Sequence, residues 1–265
     1  MDAPRRVVCL TAETAETAFA VGAGDRVVGV SAFATRPAEA RTRAKVGAFS
    51  TADVPAILAL EPDLVLAFSD VQRDVVRDLL AEGATVLATN QRTLAQTYAA
   101  IRLVGRALGC AEGGARVAAE LEARVEEARR EGASLERRPR VYFEEWDAPL
   151  VAGVGWVGEL IEAAGGEDVF ADLRGRRRAA ERVVAPEEVV ARDPEVVFAS
   201  WCGKPFRPEA LRARPGWDRV RAVRHGAVFE IPGEDVLAPG PSLARGLAGM
   251  QRILRGRVAA PSVAR

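Results

Sequence analysis

The sequence predicts an α/β protein built as two lobes, each on a central parallel sheet, bridged by a single long α-helix. Three observations carry this. Short apolar runs at 7–10, 27–30, 64–67 and 85–88 alternate with helical patterns at 15–21, 54–60 and 72–82. The second half repeats the scheme, with strands at 141–143, 196–199 and 228–231 and helices near 157–164 and 186–191. Between the halves lies a long polar helical stretch of a different character.

Taken in order, the apolar runs are short, β-branched and bounded by Gly, Pro or Asp, as strands buried on both faces are. Strands that alternate with helices make βαβ units, and hence parallel sheets. The segment 57–67 resembles 189–199: each reads as a helix, a turn at Pro62 or Pro194, then a buried strand. Likewise 16–25 echoes 159–168, each a helix stopped by glycines. Two echoes in the same order favour two related lobes. The helical pattern at 93–108 breaks at Gly109, and 112–131 then places Val117, Leu121, Val125 and Ala128 on one stripe. Such a helix spans about 30 Å and reads as a stiff strut that limits hinge motion and holds a cleft between the lobes. The organisation is therefore an N-terminal lobe at 1–110, a bridging helix at 111–138 and a C-terminal lobe at 139–265.

Lys plus Arg and Asp plus Glu both count 37 among the 265 residues, so no surplus positive charge exists to neutralise a phosphate backbone. Nucleic acid is not an expected partner. The chain has one histidine, His225, and three cysteines, Cys9, Cys110 and Cys202, with no close spacing among them. That argues against a metal site of zinc type and against a His-activated nucleophile. Glu144 and Glu145 are paired carboxylates without an evident acid–base partner. No apolar run reaches the length of a membrane span. The N-terminus, Met1-Asp2-Ala3-Pro4-Arg5-Arg6, enters the first strand without a charged leader and apolar stretch. Composition thus points to a soluble protein poor in catalytic parts.

Specific stretches then resemble a known family. They are 6–16, 22–30, Lys45-Val46-Gly47-Ala48-Phe49-Ser50, 57–66, Ala164-Gly165-Gly166-Glu167-Asp168-Val169-Phe170, Arg214-Pro215-Gly216-Trp217 and the tail Pro239-Gly240-Pro241. In this order, over nearly the whole chain, they resemble the ABC-transporter substrate-binding proteins that carry vitamin B12, haem and iron-siderophores, most closely the cobalamin-binding branch. The resemblance implies two Rossmann-like lobes bridged by one helix, a ligand cleft between them and no enzymatic activity. It also implies an ABC permease/ATPase complex as partner, a periplasmic or extracytoplasmic location and a small-molecule cargo rather than a resident cofactor, the cargo being cobalamin or a related corrinoid. The absence of a leader in the chain as given leaves the cytoplasm as the alternative location. A monomer is expected.

Ligands of open α/β sheets meet the loops at the carboxyl ends of strands. Aromatic residues cluster there. Phe33 follows the strand at 27–30, Phe49 sits in a Gly-Ala-Phe-Ser loop and Phe68 ends the strand at 64–67. Trp146 follows 141–143, Trp156 sits in Gly153-Val154-Gly155-Trp156, Trp201 follows 196–200, and Trp217 lies in a Pro-Gly-Trp turn. The resemblance implies that Phe33, Phe49 and Phe68 contribute to a corrinoid pocket, where aromatic faces would bury a flat macrocycle. It further implies one acidic docking residue per lobe, for which Asp74 and Glu209 are the candidates.

The chain also departs from the family. Thr11-Ala12 stands where Ser-Pro is common, Ser242 where an arginine is common, and no aromatic lies near Glu181. Arg174-Gly175-Arg176-Arg177-Arg178 reads as a solvated loop, His225 as a turn and Cys202 as a small buried residue rather than a cobalt ligand. Haem ranks below cobalamin because the only tyrosines, Tyr98 and Tyr142, fall within a helix and a strand. The alternatives are a siderophore or haem carrier on the same fold, for which Arg36, Arg176 and Arg245 would have to line the site, and a cytoplasmic corrinoid-handling protein or enzyme.

Overall fold

The structure is a computed structural model that describes residues 3–259. The chain divides into two compact units. The first runs to Glu122 and takes in Ala238–Ser242; the second comprises Ala123–Leu237 and the chain from Leu243.

In the first unit the elements are β1 (Val7–Cys9), α1 (Ala12–Ala20), β2 (Val27–Val30), β3 (Ala44–Lys45), α2 (Val54–Leu58), β4 (Leu64–Phe68), α3 (Arg73–Ala81), β5 (Val86–Thr89) and α4 (Leu94–Ala107), followed by α5 (Ala111–Ala133). The sheet order is β3-β2-β1-β4-β5, parallel throughout. The predicted strands are all present; the two-residue edge strand β3 was too short to read as an apolar run. Val8, Leu10, Val46, Ile57, Val65, Ala67 and Leu79 form a core on one side of this sheet. The helix α2 starts at Asp53, whose carboxylate accepts from the Ala56 N–H at 3.0 Å, with Pro55 in the first turn.

In the second unit come β6 (Arg140–Asp147), β7 (Leu150–Ala152), α6 (Gly155–Ala163), β8 (Glu167–Asp168), α7 (Pro186–Arg192), β9 (Val196–Ala199), α8 (Pro208–Arg212), α9 (Arg221–Arg224), β10 (Val228–Glu230), α10 (Gly233–Val236) and α11 (Leu243–Ala259). Its sheet runs β10-β9-β6-β7, with β8 also on β6. All pairings are parallel except β6 with β7, an antiparallel hairpin through Ala148-Pro149. This hairpin extends β6 well beyond the predicted 141–143, because Glu144, Glu145, Trp146 and Asp147 continue the strand without the apolar signature that marks a buried one.

The internal echo persists down to single backbone conformations. Glu61 and Asp193, equivalent in the repeat, both adopt the left-handed region, at φ 47° and 43°. Gly22 and Gly165, equivalent in the second echo, have φ 98° and 94°. The next equivalent pair, Asp63 and Glu195, does the same work in both units. The Asp63 carboxylate accepts from the Arg6 N–H at 2.9 Å, and that of Glu195 from the Arg140 N–H at 3.0 Å. Each thereby ties the start of a central strand to its neighbour.

The helix α5 carries the division between the units within it. Val117, Leu121, Val125 and Ala128 are buried along one stripe, as the periodicity predicts. Its first turns pack with the first unit, where a Cβ on Gly113 would collide with the Val21 carbonyl. Its last turns belong to the second, where a Cβ on Gly132 would lie 2.8 Å from the Gly165 Cα. No helix among the described residues is long and apolar enough to cross a membrane.

Candidate ligand-binding site

In the first unit the candidate residues lie at or past the carboxyl ends of β2, β3 and β4. Phe33, just past β2, is 52% exposed, a large apolar ring held out toward solvent. Phe49 is half-buried and Phe68, the last residue of β4, is buried; their ring centroids are 6.5 Å apart. One buried side chain arranges both. Gln72 donates to the Phe49 carbonyl at 2.7 Å and to the Leu10 carbonyl at 3.3 Å, and accepts from the Phe68 N–H at 3.0 Å. Arg92 lies over the Phe68 ring at 5.5 Å and pairs with Asp70 at 2.7 Å.

Beside them, the start of α1 holds a buried carboxyl. Thr11 donates to Glu13 at 2.6 Å, and desolvation is the main reason that the Glu13 pKa is pushed up to about 7, with the Glu16 charge adding a little. The segment Ala238–Ser242 covers it: a Cβ on Gly240 would come within 2.9 Å of the Glu13 Cβ. Gln91 donates to the Pro239 carbonyl at 3.2 Å and the Ser242 N–H to Glu16 at 3.1 Å.

In the second unit, β6 presents three carboxylates close together, and each meets its own cation. The fully buried Glu144 accepts two bonds from Arg214, at 2.6 and 2.9 Å. Glu145 pairs with the buried Arg182 at 2.6 Å, and Asp147 pairs with Lys204. Acid–base chemistry has no free carboxyl here, which answers the question raised by the Glu144-Glu145 pair. Glu144 also accepts from the Trp201 indole N–H at 2.8 Å and from the Tyr142 hydroxyl at 3.3 Å. Burial, and then the Glu144 charge, keep that phenol well above its ordinary pKa, so it stays protonated.

Around this network the tryptophans divide. Trp146 is half-buried in the last part of β6, its indole N–H donating to the Ala148 carbonyl at 2.9 Å. Trp201 is 4% exposed, set edge-on to Phe206 at 5.1 Å. The Lys204 ammonium lies 4.1 Å from the Trp146 ring centroid and 5.1 Å from that of Trp201. Trp156 lies not in a loop but in the first turn of α6, buried, with its N–H donating to the Val236 carbonyl at 2.8 Å. Trp217 is fully buried against Tyr142 and under Arg214. The structure thus brings Trp146 and Trp201 together and spends Trp156 and Trp217 on the core of the unit.

The remaining candidates are placed as follows. Asp74 is exposed in the first turn of α3 and pairs with Arg77; Glu209 is exposed in the first turn of α8. Cys202 is an exposed residue, against the expectation of burial, in a loop with Gly203 at φ 74°; its thiol pKa is raised, first by desolvation and then by Glu145. It therefore stays a thiol, a weak metal ligand. Arg176 is exposed in the 174–178 loop, and Arg245 pairs with Asp235 at 2.9 Å. Among the described residues no cluster of His, Cys, Asp and Glu has the makings of a metal site.

Sequence reasoning missed Gln72, Arg92, Lys204 and Phe206 as parts of these clusters. Lys204 carried a signal of its own, being one of two lysines in an arginine-rich chain. Gln72 carried none, since a glutamine four residues past a strand reads as surface.

The family model described as "Periplasmic binding protein" matches residues 7–234. An uncharacterised ABC transporter substrate-binding lipoprotein of Bacillus subtilis, YvrC, is 24% identical over 92% of this chain and 78% of its own length. A cobalamin-binding protein of Halobacterium salinarum is 33% identical over 73% of this chain, which spans about half of that protein, 53%. The periplasmic heme-binding protein RhuT of Roseiflexus sp. RS-1, in its apo form, superposes with a TM-score of 0.83 at 25% identity, over 96% of this chain and 99% of that one. The chain belongs to the periplasmic binding protein family, as a substrate-binding protein of the class that includes vitamin B12, haem and iron carriers, and is a binding protein rather than an enzyme.

Proposed function

We propose that this protein captures a corrinoid, cobalamin or a close relative, and delivers it to an ABC permease outside the cytoplasmic membrane. The observation that carries this reading is the pairing of aromatic rings with internally neutralised charge. Phe33 and Phe49 in one unit, with the buried Phe68 beside Phe49, and Trp146 in the other, with the buried Trp201 sharing its lysine, put apolar rings at strand carboxyl ends. The charges around them are already matched: Arg92 with Asp70, Arg214 with Glu144, Arg182 with Glu145 and Lys204 with Asp147. A macrocycle with amide arms needs apolar cover and no free cation. Haem propionates or an anionic siderophore would need cations that are free to meet them. Both tyrosines are buried, and the Tyr142 hydroxyl is committed to Glu144, so neither is presented as an axial ligand.

The name of the Halobacterium relative supports the same ligand, and that of the Bacillus relative supports an ABC importer and an extracytoplasmic, lipid-anchored setting. Asp74 and Glu209 remain the docking candidates, one on each unit and both exposed. A haem carrier is the second reading, favoured by the likeness to RhuT. One experiment separates them: purified protein is mixed in turn with cyanocobalamin, dicyanocobinamide and hemin, desalted, and its visible spectrum read. Retention of corrinoid bands without a Soret band is expected; a retained Soret band alone would replace the corrinoid reading with the haem one.

A further inference from the structure

Lys204 stands in an unusual place. Its ammonium faces two indoles, at 4.1 and 5.1 Å from the ring centroids, and pairs with Asp147. Two electron-rich faces and a carboxylate are the donor set with which proteins hold organic cations. Here the cation is the chain's own side chain, on the short loop between β9 and α8 that turns at Gly203, φ 74°. The two indoles are anchored elsewhere. Trp201 is held through its N–H by the buried Glu144 and Trp146 by the Ala148 carbonyl. The lysine, by contrast, is tied by one ion pair at the end of four rotatable methylenes and is one-third exposed. Of the groups in the cluster, it is the one free to withdraw.

We propose that Lys204 is an internal plug: it occupies the indole faces of Trp146 and Trp201 in the ligand-free protein and leaves them when a ligand stacks there. The inference rests on the aromatic ligand-capture reading and deepens it. A flat macrocycle and the ammonium compete for the same ring faces, so every binding event displaces Lys204 and every release restores it. The lysine thereby lowers affinity and favours hand-over, and Asp147, its partner, holds the plug's charge whether the ammonium lies over the rings or swings away.

The test compares Lys204→Ala with the unaltered protein in titrations with cyanocobalamin followed by tryptophan emission and visible absorption. A plug predicts tighter binding by the variant, about three- to tenfold. A lysine that contacts the ligand predicts weaker binding, and a bystander predicts none of either; both results overturn the proposal. Should the unaltered protein bind no corrinoid, the carrier reading falls by itself and the plug is judged on a small probe, tetramethylammonium. Its addition should then change the tryptophan emission of Lys204→Ala and not that of the unaltered protein, and a silent variant would sink the plug. Asp147→Asn, which loosens the lysine while leaving it present, should lie between the two proteins in corrinoid affinity.

Discussion

Glu13 and Gln72 lie within the same few strand ends and show how differently a buried polar group is tolerated. Gln72 satisfies three backbone groups and so fixes the Phe49 loop against β4. Glu13 accepts from Thr11, which favours its ionised form, but desolvation outweighs that bond and the Glu16 charge adds to it, so the ionised form is disfavoured. A folded-state pKa of about 7 against an ordinary 4.5 means that the folded protein binds the extra proton between those values. Stability then falls as pH rises from about 4.5 to about 7, by up to ~3 kcal/mol. In Glu13→Gln this slope should vanish, which urea melts from pH 4 to pH 8 would check. The tryptophans divide the same way. Trp156→Ala and Trp217→Ala should each lose ~3–5 kcal/mol of folding stability, since both vacate packed cores. Phe33→Ala should leave the denaturant midpoint within ~0.5 kcal/mol and lower corrinoid affinity instead. The sequence shows that these rings follow strands. It does not show which of them find enough neighbours to be enclosed, and that separates Trp156 from Phe33.

At the scale of elements, close approach sets the most stringent demands. The crossing of α4 and α5 brings Gly105 and Gly114 backbone to backbone, and Gly113 meets the end of α1 at Val21. Gly113→Ala should destabilise the first unit by ~1–3 kcal/mol through overpacking, although alanine favours helix and would stabilise an isolated α5. Thermal melts of the protein, set against helicity of a peptide spanning α5, would expose the opposite signs. The apolar stripe of α5 and every strand of the first sheet except β3 were legible, because burial on one or both faces writes itself into periodicity. The hairpin of β6 and β7 was not. The end of β6 that turns into it, Glu144 to Asp147, has no apolar signature, and its carboxylates meet partners 35 or more positions away.

Across the whole molecule, the same βαβ grammar is used twice, down to the left-handed residues Glu61 and Asp193. Charge is balanced globally, at 37 basic and 37 acidic residues, and locally, since Asp70, Glu144, Glu145 and Asp147 each pair with an arginine or lysine. An uncharged ligand held by such a surface should be almost indifferent to salt. Raising ionic strength from 0.05 to 0.5 M should change cyanocobalamin affinity by less than about twofold, whereas an anionic ligand held by cations would weaken steeply. Calorimetry at the two salt concentrations checks this. Bound ligand should also raise the unfolding free energy by about 2.7 kcal/mol at a hundredfold excess over Kd.

Periodicity, glycine and proline placement, and the internal repeat determined by themselves that this chain makes two parallel α/β units with a long helix between them in sequence. These are local signals, because a strand or helix advertises the face it buries. Which carboxylate meets which arginine, which tryptophan is enclosed and which is left under a lysine, and where Gln72 spends its hydrogen bonds were decided only by the tertiary structure. Those outcomes depend on residues brought together from distant parts of the chain, and side-chain type alone does not encode its eventual neighbour.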